Sequence, residues 1–194
     1  MDLLSSQVNQ NEINIIIGEL RRVITSNIIG DVVEMGCYIG TTSVFIAKEL
    51  LKTDKKFYVY DSFEGLPEKM DQDKSAIGGQ FKAGELVASK KQFIMNIKRS
   101  GAMMPIIKKA WFSDLTANDL PEKIALAFLD GDYYSSIIDS FRVIEKSLSS
   151  DSVIIVDDYI NDALPGVRLA VDEWLSTRKT KIRLEQSLAI IYML

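Results

Sequence analysis

Asp31-Val32-Val33-Glu34-Met35-Gly36-Cys37-Tyr38-Ile39-Gly40-Thr41-Thr42-Ser43-Val44-Phe45-Ile46-Ala47-Lys48-Glu49-Leu50-Leu51 is the stretch that decides the fold. It passes from a β-branched apolar run, through a turn with two glycines, into an amphipathic segment with Val44, Ala47 and Leu51 on one face. An apolar run with little polar alternation is what a strand covered on both faces of a parallel sheet presents. The pattern recurs along the chain. Residues 56–60, 105–109, 124–129, 152–156 and 188–193 read as further strands, and 6–26, 42–51, 135–148 and the Val167, Ala170, Val171, Trp174, Leu175 series read as helices. Strands alternating with helices predict an α/β doubly wound sheet with helices on both faces. Residues 62–92 break the rhythm. This stretch is rich in Gly, Lys, Asp and Gln, too long for an ordinary connection, and has the length and composition of a lid or substrate loop, with a short helical pattern near 87–97.

The wider composition narrows the chemistry. The chain has 194 residues, 47% of them hydrophobic, and no Pro-, Gly- or Ser-rich linker divides it. One globular domain over 1–194 is expected, with residues 1–28 as an N-terminal helical cap. No stretch approaches the length of a membrane span, and the start lacks the basic residues of a signal peptide. A net charge of −4 offers no basic footprint for nucleic acid. The single Cys37 cannot form an internal disulfide, which fits a cytoplasmic protein. The apolar N-terminal helix and final strand offer surfaces to a second copy, so a homo-oligomer is expected. The chain contains no histidine, which excludes His-based triads, His-ligated zinc and an imidazole base.

The acids fall in a pattern. Glu34 closes the first strand and Asp61 follows the second, while Asp130 follows the fourth and Asp157-Asp158 the fifth. Five carboxylates are thereby expected at the carboxyl ends of the strands, where open α/β sheets bind ligands. Gly36 permits a tight turn, and Gly40 permits close approach at a helix N-terminus. Tyr38 stands where nicotinamide-binding turns carry their middle glycine, so a pyrophosphate is disfavoured and a nucleoside such as S-adenosylmethionine is not. Asp61 is positioned to accept hydrogen bonds from ribose hydroxyls. Asp130, Asp157 and Asp158 are expected side by side without a basic neighbour in sequence. A divalent cation bound through oxygen, Mg²⁺ first among the choices, answers their repulsion.

These residues resemble a known family. Glu34–Gly40, Tyr60-Asp61-Ser62-Phe63-Glu64-Gly65-Leu66-Pro67, Trp111-Phe112-Ser113-Asp114, Leu129-Asp130-Gly131-Asp132-Tyr133-Tyr134-Ser135-Ser136, Asp157-Asp158-Tyr159 and Ala170-Val171-Asp172-Glu173-Trp174 look like the macrocin-type (TylF-like) sugar O-methyltransferases. The resemblance implies a class I methyltransferase fold, Rossmann-like, with a mostly parallel seven-stranded sheet. It implies S-adenosylmethionine as methyl donor and Mg²⁺ on Asp130, Asp157 and Asp158, which act in catalysis through the metal. The cofactor would be lined by Glu34, Gly36, Cys37, Tyr38, Gly40, Thr41 and Thr42 around the glycine turn. Asp61 would hold the ribose with Ser62 and Phe63 flanking it, Trp111 and Phe112 would border the adenine, and Asp130 would serve both cofactor and metal.

The expected activity is methylation of a hydroxyl on a small molecule with vicinal oxygens, of the sugar or natural-product type. A cation there acidifies a hydroxyl, and in-line approach to the methyl carbon does the rest. Asp132, Lys108 and Lys109 are the candidate proton acceptors. Two other readings stay open: a non-catalytic S-adenosylmethionine-binding relative, and an Mg²⁺-dependent phosphoryl-transfer enzyme using Asp130 and Asp132.

Overall fold

A computed structural model describes residues 3–77, 79 and 81–194. The chain opens with helix α1 (Gln10–Thr25), followed by strand β1 (Asp31–Met35), α2 (Thr41–Glu49), β2 (Phe57–Asp61), α3 (Lys90–Ser100) and β3 (Ile106–Lys109). It continues with β4 (Ile124–Leu129), α4 (Tyr134–Ile144), β5 (Leu148–Val156), α5 (Pro165–Leu175), β6 (Thr180–Glu185) and β7 (Leu188–Met193). The strands form one seven-stranded sheet in the order β3-β2-β1-β4-β5-β7-β6. All pairings are parallel except those of β7 with β5 and with β6. This is the doubly wound, mostly parallel α/β sheet of the class I methyltransferases.

Alternate residues of each strand feed two separate cores. On one face Val32, Val59, Leu126, Phe128, Val153 and Ile155 pack with Ile13, Ile16, Leu20 and Val44 of α1 and α2 and Phe93 and Ile97 of α3. On the other, Val33, Met35, Ala127, Leu129, Ile154 and Val156 pack with Ile137, Phe141, Val167, Val171 and Trp174 of α4 and α5. Both faces being covered explains why β4, Ile-Ala-Leu-Ala-Phe-Leu, is buried throughout. Trp174 stacks on Phe141 with ring centroids 4.3 Å apart, so it is a core residue.

Three expectations change. Helix α1 begins at Gln10 rather than near Ser6, because Asn9 and Glu12 form a capping box there. The helix expected over 135–148 stops at Ile144, and β5 begins at Leu148, four residues ahead of the apolar run. Leu148 pairs with Ile124 across a register shift, beside Asp151 in a left-handed conformation. Strand β6 was not among the expected runs. The surfaces offered to a second copy are used within the chain: the α1 stripe lies in the core and β7 is an interior strand. No helix among the described residues is long and apolar enough to cross a membrane.

Candidate active site

The turn after β1 is built by main-chain contacts. Gly36 has φ +91°, and a Cβ there would lie 1.9 Å from the Asp130 carbonyl oxygen, so β1 and β4 meet at this residue backbone to backbone. Past it, the Cys37 and Tyr38 N–H groups donate to Asp61 Oδ2 at 2.8 and 3.3 Å, and the Phe63 N–H donates to Oδ1 at 2.6 Å. One carboxylate at the tip of β2 thus locks two turns together. Tyr38, Phe63, Asp132 and Asp158, each just past the end of β1, β2, β4 or β5, all have positive φ, between +47° and +60°. Non-glycine residues hold such a conformation only when their surroundings enforce it, and they concentrate at working sites.

These tips surround a cavity of about 270 Å³. Gly36, Cys37, Tyr38, Asp61 and Ser62 form one wall, with Trp111 and Phe112 on the loop after β3. Arg142 of α4 fixes that loop by donating to the carbonyls of Phe112, Ser113 and Leu115 at 3.0 to 3.2 Å. Asp130, Asp132 and Asp158 line the same cavity, and one carboxylate oxygen from each lies within 4.8 Å of the others.

Other expected residues stand elsewhere. Glu34 is 1% exposed and accepts a hydrogen bond from Ser43 of α2, beneath the cavity rather than on its wall. Gly40 is a left-handed helix cap, and the space its Cβ would need is taken by the Phe93 ring, so packing of α3 accounts for this glycine. Thr41 and Thr42 are buried at the start of α2, with Thr41 Oγ1 3.0 Å from Ser5 Oγ. Phe63 packs on Phe93. Asp157 is not on the wall; its Oδ1 accepts the Asp158 N–H at 2.8 Å and faces Ser187. Of the three proton acceptors considered, Lys108 pairs with Asp119 and Lys109 with Glu64, both off the wall, whereas Asp132 is on it.

Further residues complete the site. Ser135 and Ser136, at the end of the motif that begins at Leu129, reach the wall, as do Gln7, Asp139 and Asn161, which carried no warning in the sequence; Asn161 Nδ2 donates to Asp158 Oδ1 at 2.8 Å. The long connection after β2 contributes Gly65, Leu66, Pro67, Phe81 and Leu86. It is pinned by Asp73, 1% exposed, whose two oxygens accept the Tyr134 N–H at 2.7 Å and the Met70 N–H at 2.9 Å. A Cβ at Gly166 would fall 1.9 Å from Asp73 Oδ1, so α4 and α5 both begin against this carboxylate.

Electrostatics set the acids apart from surface carboxylates. Desolvation, then mutual repulsion with Asp157, Asp132, Asp158 and Glu34, holds Asp130 well above the usual carboxylate range; Asp132, Asp157 and Asp158 are likewise pushed up by desolvation first. Burial drives the Cys37 thiol up too, which makes it a small packing residue rather than a nucleophile. Burial also raises Glu34 to about 8. Unfolded, Glu34 gives up its proton near the ordinary carboxylate value, whereas folded it keeps it to about 8. The folded chain therefore holds a proton the unfolded chain lacks, and stability falls as pH climbs through that window. Glu34→Gln is expected to match the parent near pH 4 and to exceed it in melting temperature at pH 8. Melting curves that stay parallel across that range would refute this.

Residues 6–189 match the sequence profile of the family described as Macrocin-O-methyltransferase (TylF). The chain belongs to the TylF family. Among curated relatives, it is 31% identical over 150 residues to the 8-demethyl-8-(2,3-dimethoxy-alpha-L-rhamnosyl)-tetracenomycin-C 4'-O-methyltransferase of Streptomyces olivaceus, covering 73% of this chain and 57% of that one. It is 30% identical over 156 residues to the mycinamicin III 3''-O-methyltransferase of Micromonospora griseorubida, covering 75% and 60%. The chain thus spans about 57 to 60% of the length of these TylF-type relatives. In fold it superimposes on the O-methyltransferase NovP with a TM-score of 0.77 at 23% identity, over 93% of this chain and 78% of that one.

Proposed function

We propose that this TylF-family chain transfers a methyl group from S-adenosylmethionine to a hydroxyl of a small molecule with neighbouring oxygens, a sugar or related natural product, with Mg²⁺ at the acid cluster. The observation that carries the reading is one cavity in which the Asp61-locked glycine turn and the Asp130, Asp132, Asp158 group face the same space. The donor set fits a hard divalent cation, being all carboxylate oxygen with mutual repulsion to offset. The nucleoside end fits as well: an acidic side chain for ribose hydroxyls stands on the wall with the aromatic pair Trp111 and Phe112. On the methyl-transfer reading the Gly36–Tyr38 turn and Asp61 have a role that a phosphoryl-transfer reading leaves empty.

Bound there, the cofactor supplies an activated methyl group and the cation supplies Lewis acidity. The chain's own residues do the rest. Asp61 accepts the ribose hydroxyls, its position fixed by three backbone amides. Trp111 and Phe112, held by Arg142, offer flat apolar surface to the adenine. Asp130 and Asp158, with Asp132 in the place expected for Asp157, would hold the cation through one oxygen each. Asp132 is also the one of the three considered proton acceptors on the wall, and its other carboxylate oxygen would take the proton of the acceptor hydroxyl. The segment 62–92, through Leu66, Phe81 and Leu86, covers the bound molecules and keeps water from the reacting atoms. The relatives named for a tetracenomycin glycoside and for mycinamicin support a glycosylated acceptor. The lone reduced thiol suits a cytoplasmic enzyme.

A thermal melt with S-adenosylhomocysteine, with NAD⁺ as control, tests the donor. At 100 times its dissociation constant a ligand adds about 2.7 kcal/mol, a rise of roughly 5–11 °C for a domain of this size. That rise with S-adenosylhomocysteine alone is expected. No rise at millimolar concentration would return the acid cluster to a phosphate-metal reading.

A further inference from the structure

Behind the cavity wall, the start of α1, the end of β5 and the β6–β7 turn meet at one hydroxyl. Ser187 Oγ lies 2.7 Å from Glu12 Oε1 and 3.0 Å from Asp157 Oδ1. Glu12 and Asp157 are 8% and 7% exposed. The other Glu12 oxygen accepts the Asn9 N–H at 2.9 Å, so the capping box that starts α1 also fixes Glu12. The Ser187 carbonyl accepts the Ile160 N–H at 3.1 Å, which ties the turn to the loop after β5.

Neither element needs the contact with Asp157. A capping box uses one glutamate oxygen, and the turn is closed by the backbone. A hydroxyl has one hydrogen and serves one of two carboxylates at a time, so two largely buried acids on it are an arrangement that folding alone does not favour. The consequence runs inward. Asp157 accepts the N–H of Asp158, and Asp158, held at φ +57°, is on the cavity wall and within the oxygen cluster.

We propose that Glu12 and Ser187 are positioning residues for the acid cluster: together they hold Asp157, and through it Asp158, where the cluster takes a divalent cation. The inference rests on the cation reading of that cluster. It makes the N-terminal helix and the C-terminal hairpin supports of the site as well as of the fold. Side chains that orient a ligand from behind are commonly worth 10–100-fold in metal affinity.

Titration calorimetry of the full chain with Mn²⁺, with S-adenosylhomocysteine binding measured in parallel, tests it. Ser187→Ala and Glu12→Ala are each expected to weaken Mn²⁺ about tenfold. Ser187→Thr, which keeps the hydroxyl, and Glu12→Gln, whose amide can donate to Ser187 Oγ and leave the hydroxyl hydrogen to Asp157, are expected to stay near the parent, and all four to bind S-adenosylhomocysteine as the parent does. A purely structural role would move both ligands together. Should Ser187→Ala not fold, Glu12→Ala carries the test, since the Asn9 side chain still caps α1. Parental Mn²⁺ affinity in the folded variants overturns the inference and leaves the cation reading standing. A parent chain that takes up no Mn²⁺ overturns both.

Discussion

Gly36→Ala is expected to lower stability by on the order of 4 kcal/mol, a fall in melting temperature of roughly 8–16 °C, or to prevent folding altogether. The atoms that a methyl group would meet are main chain: the Asp130 carbonyl oxygen at 1.9 Å and its carbon at 2.8 Å. No rotamer change relieves that contact, and φ +91° penalises any Cβ in addition. Relief requires parting β1 from β4. That would break the bond from the Asp130 N–H to Met35 O (2.8 Å), which crosses the β1–β4 seam. Each lost backbone bond in a buried place costs about 1 kcal/mol or more. Thermal and urea melts measure it, and a variant melting within about 2 °C of the parent would mean that the strands do not approach as closely as described.

Asp158→Asn is expected to cut methyl transfer more than about 100-fold while leaving S-adenosylhomocysteine affinity within about threefold. Asparagine tolerates the left-handed backbone at this position, so the loop keeps its shape. What changes is charge. The variant loses a carboxylate from the oxygen cluster and, with it, part of the repulsion that raises Asp130 and Asp132. Its melting temperature without divalent ions is therefore expected to rise above the parent's at pH 8, and the stabilisation by added Mg²⁺ to shrink. Opposite movement of stability and turnover marks a site that trades fold stability for chemistry. Full turnover in Asp158→Asn would remove the cluster from the mechanism.

Periodicity exposed the strands that are buried on both faces, since β1, β2, β4 and β7 are runs of apolar residues with few competitors. It failed at β6, Thr-Lys-Ile-Arg-Leu-Glu, an edge strand with nearly every residue exposed, whose only sheet partner is β7. Ile182 and Leu184 alternate with Lys181, Arg183 and Glu185, but both are exposed, and two isolated apolar residues do not stand out beside the continuous runs of the buried strands. The tip acids were legible because sheet topology alone sends them to one edge. Their division of labour was not. Whether Glu34 faces the cavity or Ser43, and whether Asp132 or Asp157 joins the cluster, depends on left-handed residues past the strand ends and on Ser187, remote in sequence. Asp73 gave no signal either, being one aspartate among several in a polar stretch.

That aspartate has a consequence for how specificity can change. By docking on the first turns of α4 and α5, Asp73 divides the long connection after β2 into two shorter spans, each with less entropy to lose on ordering than the whole. The span beyond it brings Phe81 and Leu86 over the cavity, whereas the strand tips below are held by Asp61 and Gly36. Hood and floor are joined at Leu66, whose N–H donates to Glu85 O and whose carbonyl accepts the Gly84 N–H, both at 2.9 Å. On the methyl-transfer reading, exchanges between Asp73 and Gly84 are expected to alter the choice of acceptor while the floor held by Asp61 and Gly36 stays as it is, which makes this span the natural graft point for an engineer.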